Sequence, residues 1–128
     1  MLNKYLEDYN IILASGSPRR QNFLKDLHLD FKIEIRPVKE IYPKALQKEA
    51  ITDYLAKLKA QPFEGDLGPK DIVITSDTIV WHQGKALGKP LDTQDAYNML
   101  KSLSDHTHEV ITSICFTTAK FQIVKNTS

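Results

Sequence analysis

Residues 10–20 of this 128-residue chain read NIILASGSPRR, an apolar run followed by small polar residues and two arginines. The run from Asn10 to Ala14 predicts a short buried strand. Ser17 followed by Pro18 is typical of a helix N-terminus, with serine as the N-cap and proline in the first helical position. The stretch therefore predicts a strand, a tight loop and a helix, with the loop at the positive end of the helix dipole.

Apolar spacing farther along the chain predicts an alternation of strands and helices. Phe31, Ile33 and Ile35 alternate with charged residues, as in a half-buried strand. Residues 72–74 form a continuous apolar run, which is typical of a strand covered on both faces. We expect the helices to bury Phe23, Leu24 and Leu27, then Ile51, Tyr54, Leu55 and Leu58, then Ala96, Met99, Leu100 and Leu103. The apolar residues 79–81 lead through a turn signal at 82–84 to residues 85–87, and further strands are predicted at 110–118 and 121–124.

The resulting order, β-α-β-α-β-β-α-β-β, predicts an α/β fold in which helices flank a mixed sheet. We expect residues 1–128 to form a single domain. Because the chain stops at Ser128 just after a pair of predicted strands, we also expect that domain to be the N-terminal portion of a longer one. An open strand at that end favours pairing with a second copy of the chain, so a homodimer is a further expectation.

Composition excludes several classes of protein. The chain has 17 Lys and Arg residues against 16 Asp and Glu, so no domain-wide basic field favours a nucleic-acid polymer. It has no apolar run near the roughly 20 residues that cross a bilayer, and its start does not resemble a signal peptide. A lone cysteine, Cys115, favours a reducing compartment. Together these features predict a cytoplasmic protein with no membrane partner.

The loop at Ser15–Arg20 is the first candidate site. Small residues at a helix N-terminus expose backbone N–H groups that suit a phosphate, and the guanidinium groups of Arg19 and Arg20 match phosphate geometry. The alternative is an ordinary capped helix with two solvated arginines. A serine-nucleophile interpretation is weaker, because the stretch lacks the G-x-S-x-G elbow.

Two other features offer groups for the same chemistry. Asp77 follows the apolar strand at 72–74, and a carboxylate at a strand end can position water or a divalent cation, although it can also simply cap a loop. Lys89 lies in a Gly-Lys-Pro turn, where a solvated lysine is the commoner interpretation. On pattern alone, Lys59 belongs to a solvated helix face.

Four stretches together resemble the Maf family of nucleoside triphosphate pyrophosphatases, and they occur in the family's order. They are IILASGSPRRQNFL, LAKLKA, VITSDTIVWHQGKALGKPLD and AYNMLKSLSDHTHEVITSICF. The resemblance implies a fold similar to that of inosine triphosphate pyrophosphatases, with a cleft between two lobes. It implies hydrolysis of a nucleoside triphosphate to the monophosphate and pyrophosphate, with a divalent cation, Mg²⁺ being the expected one.

The resemblance also implies roles for individual residues. Asp77 matches the family's catalytic acidic position, assigned as the proton acceptor. Chemistry alone fits a metal-ligand role for Asp77 equally well, and the sequence does not separate the two roles. Arg19 and Thr78 match positions associated with base selectivity, in the branch that prefers dTTP and UTP. The positions that match residues lining the phosphate-binding cleft are Ser15, Arg20, Lys59 and Lys89.

The match departs from the family at two points. Glu40 falls where the family carries an acidic pair, but Lys39 replaces the first member, which weakens the expectation that Glu40 binds the metal. A KAGAYG-like loop and a selectivity glutamine have no counterpart in the sequence. The alternative function is therefore a nucleotide-binding or regulatory module that does not cut its ligand. A protein-interaction domain without nucleotide binding is the least favoured interpretation.

Overall fold

The computed structural model describes residues 8–87, 92–104 and 108–128. Its elements are β1 (Asn10–Leu13), α1 (Pro18–Asp26), β2 (Phe31–Ile33), α2 (Glu49–Ala60), a 3₁₀ turn (Gln61–Phe63), β3 (Asp71–His82), β4 (Lys85–Leu87), α3 (Thr93–Ser104), β5 (Glu109–Thr117) and β6 (Gln122–Thr127). This order confirms the α/β fold class predicted from the sequence.

The strands form a single mixed sheet in the order β2-β1-β3-β5-β6, with β4 paired to β3. Strand β1 is parallel to β2 and β3, whereas β3, β5 and β6 run antiparallel to one another in turn. On one edge of β3, β1 pairs with residues 71–74 and β4 pairs with residues 80–82. Residues 75–79 lie between these two partners, so the sheet opens at the middle of β3.

Helix α2 builds the main core on one face of the sheet. Ile51 and Leu55, one helical turn apart, pack against Ile79 of β3 and Ile111 of β5. Pro62 then ends the helix in the 3₁₀ turn and directs Phe63 into a second cluster with Ile12 and Val73. This packing fixes the last turn of α2 against the open part of β3.

Strand β3 is longer than predicted, and this changes the position of Asp77. The sequence suggests a strand that ends before Thr75, but the structure has one 12-residue strand, because residues 73–81 all pair with β5. The prediction of a strand-end carboxylate is therefore wrong, and Asp77 lies mid-strand. It is still near the end of β1, whose Leu13 pairs with Ile74.

Several predicted core residues are exposed. Leu24 of α1 is buried as expected, but Phe23 is 62% exposed. Ile33 and Ile35 are also exposed, because β2 is an edge strand of only three residues and has a neighbouring strand on one side. Leu100 of α3 is 70% exposed. None of the helices within the described ranges is long and apolar enough to cross a membrane.

Candidate functional site

A cleft with a volume of about 860 Å³ opens beside the unpaired middle of β3. Its walls are the β1–α1 loop, the irregular segment after β2 and the end of α2. The residues that line it are Ala14, Ser15, Gly16, Ser17, Pro18, Arg20, Ile35, Arg36, Pro37, Val38, Glu40, Lys59, Ser76, Asp77 and Thr78. Consecutive strand residues point to opposite faces. Ser76, Asp77 and Thr78 nevertheless line the same cleft, because the cleft wraps around the unpaired edge of β3.

The β1–α1 loop is held in place by its own side chains. Ser15 Oγ accepts hydrogen bonds from the backbone N–H of Ser17 at 3.2 Å and from Arg20 Nη1 at 3.4 Å. Ser17 is the N-cap, and its Oγ accepts from the backbone N–H of Arg20 at 3.5 Å, as the sequence predicts. Gln21 Nε2 donates to the Ser15 carbonyl at 3.1 Å. The first turn of α1 therefore faces the cleft in a fixed orientation.

Arg20 reaches across the cleft floor to β3. Its Nη2 donates to Thr78 Oγ1 at 3.0 Å, and Thr78 Oγ1 lies 3.0 Å from Thr112 Oγ1 on β5. Burial lowers the pKa of Arg20, and the nearby Asp77 carboxylate acts in the opposite direction. An arginine remains fully charged despite such a shift, so the floor of the cleft carries a permanent cation.

Lys59, on the last turn of α2, lies at the centre of a polar cluster. Its Nζ is 3.0 Å from Asp77 Oδ1, 3.0 Å from the Ser76 carbonyl oxygen and 3.1 Å from Glu40 Oε1. Only 24% of the Lys59 side chain is exposed, so the interpretation of a solvated helix face is wrong for this residue. A second contact holds the last turns of α2 against β3: Thr75 Oγ1 donates a hydrogen bond to the Ala56 carbonyl. Thr75 and Asp77 lie two positions apart and therefore share one face of β3.

Asp77 is the most buried ionisable group in this cluster. Its side chain is 10% exposed, and burial raises the pKa of the carboxyl although Lys59 acts against that shift. The Oδ1 atom bonds Lys59, while Oδ2 is buried and has no hydrogen-bond partner among the described residues. A buried carboxylate oxygen without a partner is a costly feature, which makes Asp77 a candidate for chemistry or for ligand binding.

Arg36 is a cleft residue that the sequence analysis missed. Its guanidinium bonds Glu34 at 2.8 Å, Asp66 at 2.7 Å and the Pro62 carbonyl at 2.8 Å, and it stacks over the Phe63 ring. These contacts clamp the wall segment onto the 3₁₀ turn after α2. No local signal in the sequence marks Arg36, since its partners lie up to 30 positions away.

The structure brings together most of the predicted site residues. Ser15, Arg20, Glu40, Lys59, Asp77 and Thr78 all line the cleft. Arg19 is exposed and does not line it, because the first turn of α1 directs Arg20 inward and Arg19 outward. Lys89 lies outside the described residues. The proposed roles of all these residues stay predictions.

The donor set around Lys59 also fits a hard divalent cation. No group of three or more His, Cys, Asp or Glu side chains in the described ranges could hold a metal ion by itself. Magnesium, however, is usually bound through one or two carboxylates together with substrate phosphates. Glu40, Asp77 and the Ser76 carbonyl supply two carboxylates and a third oxygen within reach of one position.

Comparison with known proteins shows the family. The family model described as "Maf-like protein" matches residues 10–128, nearly the whole chain. The chain belongs to this family. Among curated Maf-like relatives, one from Flavobacterium johnsoniae is 61% identical over 118 residues, covering 92% of this chain and 61% of the relative. One from Christiangramia forsetii is 53% identical over 128 residues, covering 100% of this chain and 65% of the relative.

Both relatives carry the name dTTP/UTP pyrophosphatase. This Maf-like chain spans less than two-thirds of the length of either. Two solved structures share its fold. The Staphylococcus aureus Ham1 protein has a TM-score of 0.59 at 16% identity, covering 91% of this chain and 68% of its own. A nucleoside-triphosphatase, or dITP/XTP pyrophosphatase, from Mycobacterium abscessus has a TM-score of 0.51 at 14% identity, covering 92% and 71%.

Proposed function

We propose that the protein to which this chain belongs is a nucleoside triphosphate pyrophosphatase acting on dTTP and UTP. One observation carries the proposal. Arg20, Lys59, Asp77 and Thr78 come from three separate segments of the sequence and meet in one cleft. The relatives named dTTP/UTP pyrophosphatase support the same reaction and the same pyrimidine substrates.

Charge neutralisation is the main demand of the reaction. A triphosphate brings about four negative charges, and cleavage between the α and β phosphates adds charge to the departing pyrophosphate. Arg20 supplies a fixed guanidinium, and the N-terminus of α1 supplies backbone N–H groups in the same wall. These groups hold the phosphates and stabilise the charge that develops as the bond breaks.

Asp77 is the proposed proton acceptor. Water attacks the α-phosphorus, the bond to the bridging oxygen breaks, and the proton of that water passes to the Asp77 carboxylate. A raised pKa suits this role, because a base whose pKa lies closer to the working pH accepts a proton more effectively. The alternative role of Asp77 is to hold a divalent cation, which would lower the pKa of water in the site.

Glu40 and Asp77 are the residues that would hold a divalent cation, expected to be Mg²⁺. When bound, the cation supplies charge neutralisation for the phosphates and polarises a phosphoryl oxygen.

Thr78 is the proposed selectivity residue, with a hydroxyl able to hydrogen-bond a pyrimidine edge. We also propose a cytoplasmic location, a single Maf-like domain and dimer formation, each of which rests on the sequence features given above.

The experiment that tests the function is a triphosphate screen with the protein at its full natural length and Mg²⁺ present. The proposed reaction releases pyrophosphate and UMP from UTP, whereas removal of a terminal phosphate releases orthophosphate and UDP. Calorimetry in parallel tests the second candidate, a nucleotide-binding module. Tight UTP binding with no pyrophosphate formed over hours would favour that module, and release of orthophosphate alone would contradict both.

A further inference from the structure

The Lys59 ammonium is held by protein oxygen atoms in this structure. An ammonium group has three N–H donors. Three oxygen atoms lie about it at 3.0–3.1 Å, from Asp77, Ser76 and Glu40. It donates hydrogen bonds to Asp77 and to the Ser76 carbonyl and forms an ion pair with Glu40, so Lys59 acts as an internal counter-ion.

The same contact pairs Asp77 with a cation. Its Oδ1 accepts a hydrogen bond from the Lys59 ammonium, and its Oδ2 is buried from solvent. While Lys59 stays in place, the carboxylate that the proposed mechanism uses as a base is a weaker base, because a nearby opposite charge favours its ionised form.

The oxygen atoms around Lys59 are the same ones that would hold the divalent cation. Two carboxylates and one carbonyl bind a single ammonium, so this group of side chains and backbone carries a net charge of about −1. A divalent cation at the same position would compensate the two carboxylates fully. The two cations cannot occupy the position together, because like charges a few ångströms apart repel strongly in a half-buried site.

We infer that Lys59 is a latch: its ammonium holds the cation position in the resting protein, and a divalent cation displaces it. Displacement separates the Lys59 ammonium from Asp77 and Glu40 and makes it available to the phosphates. This inference rests on the proposed function for its biological meaning, but the exchange itself involves only the chain and the cation. Nucleotide is not needed for it.

The first test measures the chemical reactivity of Lys59 in the wild-type protein at full length, with no nucleotide present. A lysine-acetylating reagent is applied briefly with and without Mg²⁺, and the labelled residues are quantified by mass spectrometry. A NaCl sample of matched ionic strength controls for screening. Lys57, exposed on the same helix, is the internal reference. We expect Mg²⁺ to raise labelling of Lys59 several-fold relative to Lys57. Unchanged or reduced labelling of Lys59 would overturn the inference.

The second test measures cation affinity directly. The free Mn²⁺ signal in electron paramagnetic resonance gives the Kd of the wild-type protein, Lys59→Met and the matched control Lys57→Met. Removing the competing ammonium should lower the Kd of Lys59→Met by about tenfold, equivalent to about 1.4 kcal/mol, and leave Lys57→Met unchanged. Equal or weaker Mn²⁺ binding by a folded Lys59→Met protein would contradict the latch. If this variant does not fold, the labelling test decides. The pyrophosphatase assay does not measure this exchange. A negative result in either test therefore contradicts the latch and says nothing against the proposed function.

Discussion

The Nη2 atom of Arg20 donates a hydrogen bond of 3.0 Å to Oγ1 of Thr78, which lies 58 positions farther along the chain. This bond ties the first turn of α1 to the open middle of β3. It places the proposed phosphate-binding group and the proposed selectivity residue side by side. The neighbouring Arg19 does not line the cleft, and its side chain is exposed.

The first prediction concerns these two arginines. Arg20→Met should weaken UTP binding by roughly 1.5–3 kcal/mol, the usual contribution of a hydrogen bond to a charged group. Arg19→Met is the matched control and should change the binding free energy by much less. Calorimetry with UTP and Mg²⁺ measures both. An equal loss of affinity in the two variants would show that the cleft in the structure is not the phosphate site.

The second prediction concerns Thr78. Thr78→Val keeps the shape of the side chain but removes the hydroxyl, so it should narrow the preference for UTP over a purine triphosphate by roughly 1–3 kcal/mol. Thr127→Val, at an exposed threonine on β6, is the control and should leave the preference unchanged. The measurement is the ratio of kcat/KM for UTP and GTP. An unchanged ratio in Thr78→Val would remove Thr78 from the selectivity site.

The third prediction concerns stability and pH. Because burial raises the pKa of Asp77, ionising this carboxyl weakens the folded state as the pH rises from the ordinary aspartate pKa, about 3.9, through the raised value. Asp77→Asn should therefore melt at a higher temperature than the wild type at neutral pH. The difference should disappear below the ordinary aspartate pKa, where Asp77 is protonated in both states.

Asp71 provides a control, because its pKa is shifted in the opposite direction to that of Asp77. The backbone N–H of Gly68 and the side chain of Asn10 donate to its carboxylate, and these bonds lower the pKa of Asp71. Its contribution to stability is present above the ordinary aspartate pKa and is lost as the pH falls through the lowered value. Asp71→Asn should therefore melt at a lower temperature at neutral pH. Melting curves across pH test both variants, and shifts of the same sign would contradict the assignment.

The fourth prediction concerns the N-cap of α1. Ser17→Ala should lower the free energy of unfolding by about 1 kcal/mol, because the backbone N–H of Arg20 loses its side-chain acceptor. Ser17→Asp, which keeps an acceptor and adds a charge suited to the helix dipole, should retain wild-type stability. Urea denaturation followed by circular dichroism gives both values. Equal stability of the alanine variant and the wild type would mean that the cap contributes nothing.

Local sequence signals were sufficient to predict the order of the elements and the start of α1. Ser17 followed by Pro18 is a helix signal that acts within a few residues. The apolar spacing of α2 likewise reports its own buried face, through Ile51 and Leu55. These features depend on neighbours in the chain, so a single sequence reveals them.

The residues that the patterns misjudged depend on distant partners. Lys59 has the spacing of a solvated helix face, and only its contacts with Asp77 and Glu40 make it part of a site. Asp77 looks like the end of a strand until pairing with Ser113 of β5 extends β3 past it. Arg36 shows no pattern at all. The resemblance of the whole chain to the Maf family, rather than periodicity, placed Lys59 and Asp77 in one cleft.

The most direct test of the account is the turnover of Asp77→Asn in the protein at full length. Pyrophosphate release from UTP is measured with saturating Mg²⁺, and UTP binding is measured by calorimetry on the same preparation. We predict a fall in kcat of at least about a hundredfold, the usual contribution of a positioned general base, while the variant still binds UTP. Wild-type turnover by Asp77→Asn would contradict the claim that this cleft carries out the reaction through Asp77.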